Sequence, residues 1–555
     1  SITITIPPHN YVGGFCTVCD HIDENYLTPA ADGWYEIGTA DQLIWWSHYV
    51  ADVNLGASAR LTADIDMADQ TSDKPYAIVG NETTPFYGSF DGQFHTISNF
   101  KVSYPNQRGV GLIGVMNSRA SSGDGMSDAD ARSAEGVFIK NVVLDETCEI
   151  EGLGYCGIVG MTASWAGHVT FLNVGMDGHV VCTGGANAGG VLGCVMGSTC
   201  HITIDNCYMT GDCDGPNENG SFSGWLGSYC EIKNCYAIGT VTGSEGEDTH
   251  KYFARYNTAT IDNCYTLKGG TIDEDGHHIY RINEDEIANG KFTYLLNGKQ
   301  FRTSLFYQDL EVDAHPVANP AHGTIVYAAG EYMTANAETL PSVVNKITDF
   351  YTAKAEDAVA YTGALEDLQE KIGLLSGVTD LNGLADALDE IYVSEAVVDA
   401  SIKVYKKYAD KVEETKTYLE EHDNVQGEDR DELMAYLEED AVEILEEHNL
   451  PDADIEKEIV RIDEWLALAI NKGYVPGTEI TKMLVNADFS EGKDKGWDGE
   501  VKATGYQSYT RDDGTKLYGI ESWSANPFAM TQTVKGLKPG YYLVGINGAF
   551  RPSNN

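Results

Sequence analysis

Short apolar runs bounded by glycine recur through the first half of the chain, and their length predicts strands rather than helices. The glycine-bounded runs are "GLIG" at 111–114, "GIVG" at 157–160, "GVLG" at 190–193 and "GWLG" at 224–227. Further apolar runs end in asparagine, and turns rich in Gly, Thr and Asp follow them. These asparagines recur every 28 to 33 residues, at Asn141, Asn173, Asn206, Asn234 and Asn263. The period predicts a repeat architecture with two short strands in each unit.

A repeat of this length cannot bury its own apolar face, so neighbouring units must stack. The pattern therefore predicts a parallel β-helix, in which equivalent residues of adjacent coils lie about 4.8 Å apart. Asparagine at the same place in every coil predicts a ladder of side-chain amides that satisfies backbone groups at a sharp corner. We expect the glycines to supply positive φ angles at the corners.

The repeated cysteines occupy one slot of this pattern. Cys207, Cys235 and Cys264 stand where earlier units have Val142 and Val174. The slot therefore favours a small apolar side chain, and we interpret the cysteines as ladder residues of the core. A metal-binding or redox row is the alternative, and disulfides between coils are possible in an oxidising compartment because ten of the twelve cysteines lie between 148 and 264.

Several segments resemble the GLUG-motif β-helix proteins found on the surface of gut Bacteroidetes. They are "GWYEIGTADQLIWWSHYVAD" at 33–52, "ARLTADIDM" at 59–67, "FYGSFDGQFHTISNFKV" at 86–102 and the glycine and asparagine repeats. The resemblance covers roughly residues 33–330 and implies a right-handed β-helix whose open end is capped by the helix after "IGTADQL". A closing segment at 288–327 resembles the same proteins, but has Phe306 for the usual Trp and Glu311 for the usual Gly.

The N-terminal segment "HNYVGGFCTVCDH" has the residue types of a zinc site. Its candidate ligands are His9, Cys16, Cys19 and His21. The segment resembles short "H-x-Y-x-x-G-x-C-x-x-C" modules of bacterial surface proteins. A local disulfide and free thiols remain the alternatives to zinc, and the expected role is structural in every case.

The composition changes near residue 335. Residues 338–472 contain 35 acidic and 12 basic residues, no cysteine, and apolar residues at helical spacing. We predict a helical bundle whose acidic residues form its solvated face. Calcium binding is possible but not indicated, since no Asp-x-Asp-x-Asp-Gly loop occurs.

The last segment returns to β structure. "NADFSEGKDKGWDGEV" at 486–501 and "FAMTQTVKGLKPGYYLVGINGAFR" at 528–551 resemble parts of a galactose-binding-like jelly roll. The resemblance implies a carbohydrate-binding role, for which Trp497, Trp523 and Arg551 are the candidate residues. The structural alternative is that the first tryptophan packs in the core.

The predicted fold class is accordingly multidomain: a right-handed parallel β-helix with a capping helix, then an α-helical bundle and a partial β-sandwich. The predicted boundaries are a Cys/His knuckle at 1–30, the capped β-helix at 31–334, the acidic bundle at 335–477 and an incomplete jelly roll at 478–555. The chain opens at "SITITIPPHN" and stops at "AFRPSNN", and we interpret it as part of a longer protein.

The net charge of the chain restricts the classes of partner that it can bind. The formal net charge is −49, which disfavours nucleic acid and anionic membranes as partners. No apolar run is long enough to predict a transmembrane segment. We predict a non-catalytic adhesin or glycan-contacting protein, extracellular or at the bacterial cell surface, with glycans or host or bacterial surface proteins as partners. The alternatives are a polysaccharide-degrading enzyme, which would need clustered carboxylates and a base that the repeats do not display, and a subunit of an extracellular filament.

Overall fold

The structure is a computed structural model, and it divides the chain into two compact units. The first contains Ser1–Ile347 and Thr379–Ala385, and the second contains Thr348–Val378 and Asp386–Asn555. The residues that the structure describes are 8–19, 21–243, 252–256, 259–274, 277–422, 425–473, 477, 479–493, 495–499, 505–521, 529–535, 537 and 542–546.

The first unit is dominated by short strands. In chain order its elements are β1 (Tyr11–Val12), β2 (Phe15–Cys16), β3 (Tyr35–Ile37), α1 (Ala40–Asp52), β4 (Ala59–Leu61), β5 (Ile65–Asp66), β6 (Phe90–Ser98), β7 (Lys101–Val110), β8 (Ile113–Met116), α2 (Asp128–Ser133), β9 (Val137–Leu144), β10 (Glu149–Cys156), β11 (Val159–Thr162), β12 (His168–Met176), β13 (His179–Cys182), β14 (Leu192–Cys194), β15 (His201–Asp205), β16 (Tyr208–Met209), β17 (Cys213–Asp214), β18 (Ser223–Leu226), β19 (Cys230–Lys233), β20 (Tyr236–Ala237), β21 (Ala254–Tyr256), β22 (Thr260–Thr266), β23 (Ile272–Glu274), β24 (His277–Arg281), α3 (Glu284–Ala288), α4 (Lys291–Leu296), β25 (Thr324–Ala328) and β26 (Glu331–Ala335).

Three sheets with parallel strands organise this unit. Sheet 1 contains β3, β4, β5, β6, β9, β12, β15, β16, β19, β20, β22, β23 and β24, of which β23 alone pairs antiparallel. Sheet 2 contains β7, β10, β13 and β17, and sheet 3 contains β8, β11, β14, β18 and β21. From β6 to β18 the chain passes through sheet 1, sheet 2 and sheet 3 in that order, and then repeats the circuit. Equivalent residues of successive circuits pair in register, as Val142 and Val174 do between β9 and β12. This arrangement is compatible with the predicted parallel β-helix.

The core lies between the three sheets. In β10 the side chains alternate between buried and partly exposed, as the period of a strand requires. The repeated glycines serve close packing of backbones. A Cβ added at Gly111 would lie 2.1 Å from the carbonyl oxygen of Gly157, and one added at Gly157 would lie 2.4 Å from that of Gly189.

The expectation that these glycines supply positive φ angles at the corners was wrong, because asparagine takes that role. Asn141, Asn173, Asn206, Asn234 and Asn263 all have φ between 47° and 55°. Asparagine tolerates the left-handed region better than other residues with a Cβ, and its amide remains available for a hydrogen bond.

Helix α1 packs its apolar side on the first strands of sheet 1. The Thr39 side chain caps its N-terminus by accepting from the N–H of Gln42. Trp45 and Trp46 are fully buried, and the indole N–H of Trp46 donates to the Ala57 carbonyl at 2.9 Å. Because the indole N–H is satisfied, the large ring can be buried without a polar penalty.

The segment after sheet 1 contains α3, α4 and the antiparallel pair β25–β26. Phe306 is buried, so it fills the core position at which the resemblance expects Trp. Glu311, where the resemblance expects glycine, has φ +79°, a region that glycine enters without strain.

The second unit is largely helical. Its elements, including the helices that begin in or near the first unit, are α5 (Leu340–Asp357), α6 (Thr362–Gly373), α7 (Leu381–Glu421), α8 (Glu428–Glu438), α9 (Asp440–Glu447) and α10 (Asp452–Gly473), followed by β27 (Asp498–Gly499), β28 (Gly505–Thr510), β29 (Lys516–Glu521) and β30 (Met530–Thr531). A core of Tyr405, Tyr408, Leu433 and Ile462 holds α7, α8 and α10 together. Strands β28 and β29 form an antiparallel hairpin, and the jelly roll and the four domain boundaries stay predictions.

Candidate functional site

The first candidate site is built on the hairpin β1–β2. Val12 pairs with Phe15, and the two residues between them, Gly13 and Gly14, have φ of 55° and 86°. Positive φ at both central residues makes the tight turn that matches the twist of the flanking strands. The hairpin brings His9 beside the Cys-x-x-Cys pair, Cys16 and Cys19.

Three of the four predicted zinc ligands meet at this hairpin. His9 Nδ1 lies 3.3 Å from Cys16 Sγ and 3.4 Å from Cys19 Sγ, and the three atoms lie within 4.8 Å of one another. The N–H of Val18 and the His9 ring hold the pKa of the Cys16 thiol at about 6, so its thiolate is populated at neutral pH. The thiolate is the form that binds metals and attacks electrophiles.

His21 is placed differently from the sequence-based expectation. Its Nδ1 shares a 2.9 Å hydrogen bond with the Tyr11 hydroxyl, and its ring stacks on His9 with centroids 4.4 Å apart. Its backbone carbonyl accepts the N–H of Cys16. His21 therefore supports the cluster through ring stacking and the backbone.

The asparagine ladder runs along the corner of sheet 1. Asn141 donates to Asp91 at 3.0 Å, Asn173 to Asn141 at 2.7 Å, and Asn206 to Asn173 at 2.6 Å. Asn263 donates to Asn234 at 2.9 Å. Each amide thus connects one circuit to the next.

The cysteines of the ladder lie inside the sheets. Cys207, Cys235 and Cys264 are fully buried free thiols, and the N–H of Cys207 lies 3.3 Å from Cys235 Sγ. Burial raises the pKa of Cys207 and Cys235 well above that of an exposed thiol. Such thiols stay protonated and behave as small apolar side chains.

Of the three predicted carbohydrate-binding residues, Trp497 lies among the described residues. Trp497 is half-buried, its indole N–H donates to the Asn486 carbonyl at 3.1 Å, and its ring packs beside Phe489. Trp523 and Arg551 lie outside the described residues. Their binding role stays a prediction.

Sheet 3 carries an apolar cluster separate from the main core, which the sequence analysis missed. In-register pairing aligns Val115, Met161, Cys194 and Trp225. Half-buried Tyr155, Trp165 and Met196 pack against this row. The available sequence signal was the aromatic residue in "GWLG", where the other units have aliphatic residues.

Two arginines lie on the aromatic rings of this cluster. The Arg255 guanidinium is 4.8 Å from the centroid of Trp225, and that of Arg108 is 5.2 Å from the centroid of Tyr155. Arg255 also forms an ion pair with Glu218. We call Tyr155, Trp165, Met196 and Trp225, with Arg108 and Arg255, the sheet 3 face.

A second cluster of potential ligands follows α4. The His322 Nδ1 lies 2.9 Å from Asp313 and 3.7 Å from Asp309. Asp313 also accepts the backbone N–H of Asp309, and Asp309 accepts that of Gly323. These hydrogen bonds hold the loop of residues 309–323 in place, so the cluster has a structural role.

No protein-family model matches the chain. Over 184 residues it is 29% identical to halomucin of Haloquadratum walsbyi, in an alignment that covers 33% of this chain and 2% of halomucin. A crystal structure of a provisionally assigned immunoglobulin A1 protease from Bacteroides ovatus is similar at 19% identity and a TM-score of 0.35, over 52% of this chain and 93% of that one. Among the described residues, no helix is both long and apolar enough to cross a membrane.

Proposed function

We propose that this is a non-catalytic, extracellular or cell-surface protein that contacts glycans through a right-handed parallel β-helix of the GLUG type. The support for the architecture is the repeated passage of the chain through three parallel sheets with in-register pairing. Stacked circuits build a long, stiff surface, which suits repeated contact with an extended ligand.

The observation that carries the proposal is the sheet 3 face. Trp225 and Tyr155 are half-buried, so each ring is fixed while part of it remains accessible. Fixed aromatic rings lose little conformational entropy on binding and offer an apolar surface to the C–H groups of a sugar ring. Arg108 and Arg255 place N–H donors at the same rings, where sugar hydroxyls or carboxylates can accept them.

The partners proposed are therefore glycans, free or on host or bacterial surface proteins. The acidic balance of the chain, −49 in formal charge, favours neutral over strongly anionic glycans. A carbohydrate-binding role for Trp497, Trp523 and Arg551 in the C-terminal segment is part of the same proposal.

The test is binding of the whole chain to an array of host, plant and microbial glycans, with reducing-end release assayed on the same panel. For the glycan retained best, we expect Trp225→Ala and Tyr155→Ala to weaken binding by roughly tenfold or more, equivalent to about 1.4 kcal/mol. Phe350→Ala is the control, because Phe350 is an aromatic residue of α5 that is 42% exposed and is not part of the sheet 3 face.

Unchanged binding in the Trp225 and Tyr155 variants, together with loss in Trp497→Ala, would move the site to the C-terminal segment. Release of reducing ends by the wild-type chain would reject the non-catalytic function in favour of a polysaccharide-degrading enzyme. Concentration-dependent growth of particles in light scattering would favour the filament subunit instead.

A further inference from the structure

The geometry of the N-terminal hairpin points to a zinc site with three protein ligands, and we propose that His9, Cys16 and Cys19 bind one Zn²⁺ while His21 does not. The proposal goes beyond glycan contact, since the site lies on the hairpin rather than on the sheet 3 face. It also changes the ligand set expected from the sequence, which included His21.

The first argument is the spacing of the donor atoms. Zinc binds thiolate sulfur at about 2.3 Å and imidazole nitrogen at about 2.0 Å in tetrahedral geometry, so a sulfur and a nitrogen ligand lie about 3.5 Å apart. The distances from His9 Nδ1 to the two sulfurs are 3.3 Å and 3.4 Å. The His9 nitrogen therefore already has the separation from both sulfurs that a shared zinc ion requires, and all three atoms lie within 4.8 Å of one another.

The second argument is the backbone that presents the sulfurs. The N–H of Thr17 donates to the Asn10 carbonyl at 2.8 Å, and the N–H of Cys16 donates to the His21 carbonyl at 3.0 Å. These bonds extend the hairpin on both sides of Cys16 and fix the start of the Cys-x-x-Cys turn. His9 and Cys19 are exposed, so a metal ion can reach the site from solvent.

His21 is excluded as a ligand by its contacts. Its Nδ1 is engaged by the Tyr11 hydroxyl, and the ring lies nearly parallel to His9, at an interplanar angle of 18°. A stacked ring directs its nitrogens along its own plane, whereas a zinc ion must lie in the plane of the His9 ring. His21 instead orients His9, and the fourth zinc position is left to water or another donor.

Zinc at this site would tie the hairpin to α1. Phe15 is buried and its ring meets the His48 ring edge-on with centroids 5.0 Å apart. The indole N–H of Trp45 donates to the Asp23 carbonyl at 2.9 Å, and the N–H of Asp23 donates to the Gly14 carbonyl. Binding that orders residues 9–19 therefore also stabilises their packing on this helix.

The test uses the whole chain, reduced, stripped of metal and dialysed against low micromolar free zinc, with zinc per chain measured by mass spectrometry. We expect one zinc per wild-type chain, none in Cys16→Ser, Cys19→Ser or His9→Ala, and one in His21→Ala, with affinity reduced by about 10- to 100-fold. Cys194→Ala is the matched control, because it removes a thiol of the sheets and should retain one zinc. Cobalt(II) in place of zinc should give thiolate-to-metal charge-transfer absorption in wild type and in His21→Ala.

Three results would overturn the proposal. They are absence of zinc in the wild type, retention of zinc in Cys16→Ser, and a loss of zinc in His21→Ala as complete as in the cysteine variants. A Cys16–Cys19 disulfide found by peptide mapping of the chain as isolated, with no zinc bound after reduction, would assign the pair to redox chemistry. Circular dichroism of each variant separates loss of a ligand from loss of the fold.

Discussion

The side-chain amide of Asn234 donates to the carboxylate of Asp205 at 2.8 Å, rather than to Asn206 in the preceding circuit. The ladder is therefore two series of hydrogen bonds. One starts at Asp91 and passes through Asn141 and Asn173 to Asn206. The other starts at Asp205 and passes through Asn234 to Asn263.

A carboxylate accepts more strongly than an amide oxygen, so each series begins at a strong acceptor. The carbonyl oxygen of the Asn206 side chain is buried and has no hydrogen-bond partner among the described residues. The Asn206 amide instead makes a second bond, to the Leu305 carbonyl at 2.8 Å. That bond fastens the closing segment to the corner of sheet 1.

The left-handed backbone at the ladder predicts different effects of alanine and glycine. Asn234 has φ +52°, so Asn234→Ala should lower the free energy of unfolding by about 2–3 kcal/mol through strain and lost hydrogen bonds. Asn234→Gly keeps the backbone free and should cost about 1 kcal/mol. Urea unfolding followed by tryptophan fluorescence measures both values, and equal losses would show that the φ angle does not matter.

The glycine-bounded runs predict a steric effect. Gly157→Ala places a Cβ 2.4 Å from the Gly189 carbonyl oxygen, so the two circuits must move apart. We expect the free energy of unfolding to fall by about 1–3 kcal/mol. Gly123→Ala is the control, since its Cβ meets nothing closer than the Ser121 hydroxyl at 3.9 Å. The thermal unfolding midpoint should fall in the first variant alone. A fall of similar size in both would point to a general effect of glycine replacement.

The burial of the repeated cysteines predicts that an apolar side chain of similar size can replace them, whereas a charged one cannot. Cys235 is fully buried, so Cys235→Val should change stability by less than about 1.5 kcal/mol. Cys235→Asp buries a carboxyl group without a built partner and should prevent stable folding or raise the pKa of that group strongly. Soluble yield and denaturant midpoint check both variants. Cys235→Val that fails to fold would favour a metal or redox role for the row.

The ion pair of Arg119 and Asp124 predicts an acid-dependent contribution to stability. Arg119 is 7% exposed and also donates to the Ala166 carbonyl, and its guanidinium lowers the pKa of Asp124 to about 2. A lowered folded-state pKa means that the stabilisation is present above about pH 4 and is lost as the pH falls toward 2. The difference in thermal midpoint between wild type and Asp124→Asn should therefore shrink over that interval. A constant difference would show that Asp124 acts without its charge.

Local sequence patterns predicted several elements, but not the arrangement of their side chains in space. The helix expected at "IGTADQL" is α1, whose apolar side is buried. The Cys-x-x-Cys pair with His9 marked the N-terminal cluster, because ligand spacing is written in adjacent residues. His21 satisfied the same pattern, yet ring stacking on His9 and the Tyr11 hydroxyl placed it outside the cluster. Sequence spacing carries no information on which way a ring faces.

Periodicity and residue types along the chain predicted the repeat period, two of the three strands in each circuit, the asparagine corners and the change to acidic helices after residue 335. These follow from periodicity and backbone preference, which act over a few residues. The pairing of circuits was needed to place Asn234 against Asp205, to bring a neighbouring backbone against the repeated glycines, and to pack Tyr155, Trp165 and Trp225 against the apolar row of sheet 3. Asn234 and Asp205 are 29 positions apart in the chain, and Gly157 and Gly189 are 32 apart, so their geometry exists only once successive circuits have paired.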